Sequence, residues 1–154
     1  MSKKVLTLLA ALAVSIPAFA AFAPLAGAHS TSGSAASARP TITVQSTKFG
    51  KALFSHGRAL YVFGPDHGSK SNCYGSCASV WPPFLASGKA KAGAGVRGSL
   101  IGTTRRKDGS LQVTYAGHPL YFFTGDVNSQ PSCQGVNLNG GIWLIVSPSG
   151  KIIH

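Results

Sequence analysis

The chain has 154 residues, enough for one domain with an ordinary core or for two small halves that share one. Its 14 Lys and Arg face only three acids, Asp66, Asp108 and Asp126, with no Glu, for a formal charge of +11. That balance favours anionic partners, but the basic residues are scattered apart from Arg105-Arg106-Lys107, and the aromatic and basic spacing of a specific nucleic-acid reader is missing.

In chain order, Lys3 and Lys4 precede an apolar run over residues 5–16 that Pro17 breaks, so residues 1–28 read as a signal peptide. Ala18-Phe19-Ala20, Ala21-Phe22-Ala23 and Ala26-Gly27-Ala28 place cleavage at about 20–28, with the first two favoured because the third lies far from the apolar run. The run is short for a membrane span, and the mature chain is expected to hold no transmembrane segment. Residues 29–40, rich in Ser, Ala and Gly, read as a flexible leader. The first cysteine is Cys73, so no lipid-accepting cysteine follows the signal.

Removing Lys3 and Lys4 from the total of +11 leaves +9 on the mature chain. Outside the cytoplasm such a charge selects anionic envelope polymers, acidic polysaccharide or teichoic acid among them, or lipid head groups. Scarce carboxylates also fit acidic surroundings, where stability then varies less as pH falls.

Residues 41–154 read as one mainly β domain of two pseudo-symmetric repeats, about 41–98 and 99–154. Gly57-Arg58-Ala59-Leu60-Tyr61-Val62-Phe63 falls on Gly117-His118-Pro119-Leu120-Tyr121-Phe122-Phe123 at an offset of 60, which also superposes Asp66 on Asp126, Cys73 on Cys133 and Gly75 on Gly135. A two-residue gap then aligns Trp81 with Trp143.

In each repeat a short strand, residues 52–55 or 111–115, leads through a Gly turn into an aromatic-rich strand, residues 59–63 or 120–123, which is hairpin grammar. Alternation puts Leu60 and Val62 on one face and Tyr61 and Phe63 on the other, the pattern of a strand buried on both sides. Residues 100–104 are expected to pair across the Lys107-Asp108-Gly109 turn, and residues 142–146 across Pro148-Ser149-Gly150 with residues 151–153. One short helix is expected over residues 72–80, capped by Ser71 or Asn72 and ended by Pro82-Pro83.

Tyr61-Val62-Phe63-Gly64-Pro65-Asp66 and Tyr121-Phe122-Phe123-Thr124-Gly125-Asp126 resemble the Tyr-x-aromatic-x-x-Asp signature of a bacterial secreted-repeat family of unknown function, often labelled predicted lipoproteins. Cys73-Tyr74-Gly75-Ser76-Cys77-Ala78 with Trp81-Pro82-Pro83 is similar to the block after the first motif. Asp108-Gly109, Gln134-Gly135 and Gly140-Gly141-Ile142-Trp143 are similar to the second half, so the resemblance covers about residues 42–150. It implies an extracytoplasmic bacterial protein and brings no activity or catalytic residue.

Each signature aspartate is expected to accept backbone N–H groups in the turn after its strand. The rival arrangement brings Asp66 and Asp126 together across the pseudo-two-fold, where a carboxylate pair would serve a hydrolase. Cys73 and Cys77 are expected to form a disulfide that leaves Cys133 as a free thiol, with Cys73–Cys133 as the rival pairing. His56, His67 and His118 offer weak ligands for copper or zinc, with no two spaced as a recognisable pair. Tyr61, Phe63, Tyr121, Phe123, Trp81 and Trp143 are expected in the core. The leading expectation is thus an exported, non-catalytic binding or structural module, ahead of a metal-handling or redox accessory protein and a carboxylate-pair hydrolase. Oligomeric state is left open.

Overall fold

A computed structural model describes residues 39–127 and 130–154; the expected signal peptide and nearly all of the leader lie outside the described residues. The chain is mainly β, with strands β1 (Thr41–Thr47), β2 (Gly50–Ser55), β3 (Arg58–Ala59), β4 (Tyr61–Phe63), β5 (Lys91–Ala92), β6 (Ile101–Arg105), β7 (Leu111–Tyr115), β8 (His118–Pro119), β9 (Val136–Leu138) and β10 (Gly141–Ile145). They form three small sheets, ordered β3-β2-β1-β5, β4-β10-β9 and β6-β7-β8.

The duplication expected from sequence is visible in the hairpins. β1, β2 and β3 form one antiparallel meander and β6, β7 and β8 the other, with Ser55 opposite Arg58 in the first and Tyr115 opposite His118 in the second. The turns between them are His56-Gly57 and Ala116-Gly117, and all four residues have φ between 48° and 84°. A two-residue hairpin loop needs two such residues in succession to match the right-handed twist of its strands, which is why glycine recurs in second place.

The aromatic strand is interrupted. β3 stays with its own meander, the chain steps across at Leu60, and β4 pairs with β10 from the second repeat, Tyr61 opposite Ile145 and Phe63 opposite Trp143. In the second repeat residues 120–124 pair with residues 80–84 of the first, through the Phe84 N–H to Leu120 O at 2.8 Å, the Phe122 N–H to Pro82 O at 2.9 Å and the Thr124 N–H to Val80 O at 3.1 Å. Pro82 and Pro83 have no N–H to give, so this pairing is thinner than its β4–β10 counterpart.

Alternation along β4 sorts the core into two. Leu60 and Val62 join Leu53, Val113, Leu120, Leu144 and Val146 on one side. Tyr61 and Phe63 join Phe54, Trp81, Tyr121, Trp143 and Ile145 on the other. The strand is buried on both faces, as its sequence requires.

The helix is shorter than expected. It spans Ser76–Val80, and Gly75 at its N-terminus makes no side-chain cap. Ser71 and Asn72 are unavailable as caps: the Ser71 hydroxyl is engaged by Tyr121 and Arg106, and Asn72 binds Asp66 and the Pro65 carbonyl. Residues 151–153 form no strand; Ile152 makes an isolated bridge to Val146. Strands β1, β5 and β9 were not anticipated in the sequence.

Candidate functional site

The two signature tyrosines meet backbone to backbone. The Tyr61 N–H donates to the Tyr121 carbonyl and the Tyr121 N–H to the Tyr61 carbonyl, both at 2.9 Å, so the local two-fold passes between them. Both rings are fully buried.

From there each hydroxyl reaches across to the other repeat's aspartate. The Tyr61 hydroxyl donates to Asp126 at 2.9 Å and the Tyr121 hydroxyl to Asp66 at 2.9 Å. Each aspartate also organises the loop after it. Asp66 accepts the Asn72 N–H at 2.7 Å, and Asp126 accepts the Ser132 N–H at 3.0 Å and its hydroxyl at 2.9 Å. The turn role expected for these acids is present, and the cross-repeat tyrosine is added to it. Burial pushes both tyrosine hydroxyls well above their ordinary value, so they act as donors to the carboxylates.

Asp66 itself is raised. Burial disfavours its charged form, against the Asn72 N–H, the Tyr121 hydroxyl and the charges of Arg106 and His118, which favour it. A carboxyl that holds its proton more tightly folded than unfolded contributes stability below its unfolded value, near about 4, and that contribution is lost as pH rises through the higher folded value. Asp66→Asn is therefore expected to flatten the melting temperature between acid and neutral pH relative to the wild type. An unchanged profile would refute this origin.

Around the tyrosines the large rings form a stack. Trp81 and Trp143 are parallel, 1° apart in plane with centroids at 3.8 Å. Phe63 lies on Trp143 at 4.2 Å and Phe123 on Trp81 at 4.5 Å. Tyr61 and Tyr121 touch Trp81 and Trp143 edge-on, each at 5.2 Å. The pair is asymmetric, since the Trp143 indole N–H donates to Leu138 O at 2.9 Å while that of Trp81 is buried without a partner among the described residues.

Cys73 and Cys77 are bonded, and the Cys73–Cys133 pairing does not occur. Cys133 is a half-buried free thiol, pushed up by burial and then by nearby Asp126. Its N–H lies 3.4 Å from the Tyr61 hydroxyl. Among the described residues no three His, Cys, Asp or Glu gather as a metal site. His56 sits in its hairpin turn against the Ser55 hydroxyl, and His67 pairs through its backbone with Lys70.

The feature that the sequence reading missed is Arg106, only 5% exposed in a chain rich in surface cations. Its guanidinium donates to the Ser71 hydroxyl at 2.8 Å, to Gln112 Oε1 at 2.6 Å and to the Cys73 carbonyl at 2.7 Å, and it lies over the Tyr74 ring at 4.3 Å. Gln112, fully buried, passes the link on to the Leu120 carbonyl. Strand parity held a signal: Thr104 and Arg106 share the inward side of the segment, whereas Thr103 and Arg105 face out. Beside Arg106 opens a cavity of about 200 Å³, lined by Lys70, Ser71, Tyr74, Arg105, Arg106 and Lys107.

Neither a curated protein nor a solved structure matches the chain. The model of a family described as a secreted repeat of unknown function matches it twice, at residues 44–84 and 102–147, each match holding one signature tyrosine, its aspartate-bearing turn and one tryptophan of the stack. The chain therefore belongs to that family of secreted repeats.

Proposed function

We propose that this exported protein is a non-catalytic module that holds an anionic polymer of the cell envelope through its basic surface. The observation that carries the reading is where the negative charge goes. Asp66 and Asp126 are taken up by tyrosine hydroxyls and backbone N–H groups. Asp108 makes the one ion pair among the described residues, to buried Arg106 at 3.7 Å. Exposed cations such as Lys51, Lys70, Lys89, Arg105, Lys107 and Lys151 are thus left without an acid of their own. An uncompensated field of this kind concentrates anionic polymer and steers it to the surface.

The aspartates speak against the hydrolase reading. Each spends its oxygens on the loop behind it and on the opposite tyrosine, which is how a structural carboxylate is used. The module is expected to be retained on immobilised poly(glycerol phosphate) or polygalacturonate at low ionic strength and released as salt rises. Passage through both columns as through an uncharged one would sink the proposal.

A further inference from the structure

We infer that the cavity beside Tyr74 is a binding site for a phosphodiester group of a soluble polymer, with Lys70 and Lys107 as its charged contacts. The inference rests on the anionic-polymer reading above and says where on the surface, and for which anion, that binding is specific.

Burial of Arg106 is the first argument. A guanidinium taken out of water is costly unless its charge is answered. Here three of its contacts are neutral oxygens, of Ser71, Gln112 and Cys73. Among the described residues its Nε has no hydrogen-bond partner, and exposed Asp108 stands at 3.7 Å. No carboxylate lines the adjoining cavity, whose walls carry three further cations, Lys70, Arg105 and Lys107. Asp108 stands against one of the four cations only, so the potential in the cavity stays net positive, and an anion entering it supplies further counter-charge.

The second argument chooses the anion. A bidentate grip on a planar carboxylate needs a guanidinium fork that is wholly free, a grip that phosphate also accepts but does not require. Arg106 is spent on three internal acceptors, and Arg105 has one N–H committed to the Gly109 carbonyl at 2.8 Å, so neither offers its whole fork. What remains are the ammonium groups of exposed Lys70 and Lys107, point charges from two separate segments of chain, and such groups suit the tetrahedral oxygens of phosphate. The Tyr74 hydroxyl accepts the Lys107 N–H at 3.2 Å and so ties the second segment to the first.

The third argument chooses the source. A headgroup site in a bilayer is flanked by apolar side chains that enter the interface. Among the described residues the exposed large apolar side chains, Leu85, Val127, Val136, Leu138 and Ile142, are all absent from the cavity wall. A water-soluble polymer fits this rim better than a membrane surface.

The test is titration of the mature protein with a short poly(glycerol phosphate) oligomer, followed by amide NMR shifts and calorimetry. Shifts are expected at Ser71, Tyr74 and Lys107. The double variant Lys70→Gln/Lys107→Gln should bind about tenfold more weakly, whereas Lys51→Gln/Lys89→Gln, which removes equal charge elsewhere, should lose less than about twofold. Both pairs are exposed, and matching melting temperatures would verify that the variants fold. Equal loss in the two pairs would overturn the cavity while leaving the polyanion reading intact. Equal affinity for an oligogalacturonate with the same lysine dependence would overturn the choice of phosphate. Binding to phosphatidylglycerol-containing vesicles but not to the oligomer would overturn the choice of source. Failure of the wild type to bind any of these polyanions would remove both the site and the reading beneath it.

Discussion

Trp143→Ala is expected to cost about 3–5 kcal/mol of folding stability, enough to unfold much of the protein near physiological temperature. Trp143 is fully buried at the middle of the four-ring stack, with Trp81 on one face and Phe63 on the other, and Tyr121 meets it edge-on. Truncation opens a cavity that no neighbour can fill without leaving its own partner, and it strands the Leu138 carbonyl. Chemical denaturation of the variant against wild type measures the loss. Trp143→Phe should recover part of the stack but not the indole hydrogen bond, and so fall between the two. A loss under about 1 kcal/mol for the alanine variant would mean that the stack is not what holds the repeats together.

Arg106→Met is expected to cost about 2–5 kcal/mol, although it removes one of many cations and substitutes a side chain of similar length. Gln112 Oε1 and the Cys73 carbonyl would each lose a donor that carries full charge, in a place water does not reach. Arg106→Lys should rescue little, because one ammonium cannot span the three acceptors that the guanidinium fork reaches. Urea denaturation of both variants, with Arg105→Met as the exposed control, checks the claim; equal midpoints for all three would refute it.

Much of the fold was legible in the sequence because its determinants are local. Paired Gly57 and Gly117 fix hairpins through backbone conformation alone. The alternation of Leu60, Tyr61, Val62 and Phe63 needs two buried faces wherever the strand lies. Proximity along the chain also favoured Cys73–Cys77 over the longer pairing. What stayed hidden depends on which segment meets which. Tyr61 shows an apolar ring and a hydroxyl, and nothing near it names Asp126, 65 residues away, as its acceptor. The helix was expected to start at Ser71 or Asn72 because their side chains cap well. In the fold Tyr121, Arg106 and Asp66 engage those residues first. Arg106 was hidden from composition, since adjacent cations Arg105 and Lys107 stay in solvent, and only the strand parity that it shares with Thr104 pointed inward.

The crossing of the tyrosine contacts has a consequence for ancestry. Each repeat carries a donor hydroxyl and an acceptor carboxylate, yet neither satisfies its own pair; the bonds run only from Tyr61 to Asp126 and from Tyr121 to Asp66. The backbone follows the same rule, since the Leu53 N–H donates to the Val146 carbonyl at 2.9 Å and the Val113 N–H to the Phe84 carbonyl at 2.8 Å. This is the isologous geometry of a two-fold homodimer, in which patch i meets patch j and j meets i. A single unit bearing these residues closes all of them by embracing a second copy of itself, so the present chain has the form of such a dimer after gene fusion. Fusion frees the halves to diverge where the symmetry does not bind them, and Arg106, which has Thr47 at its counterpart position in the first hairpin, lies on the side that did.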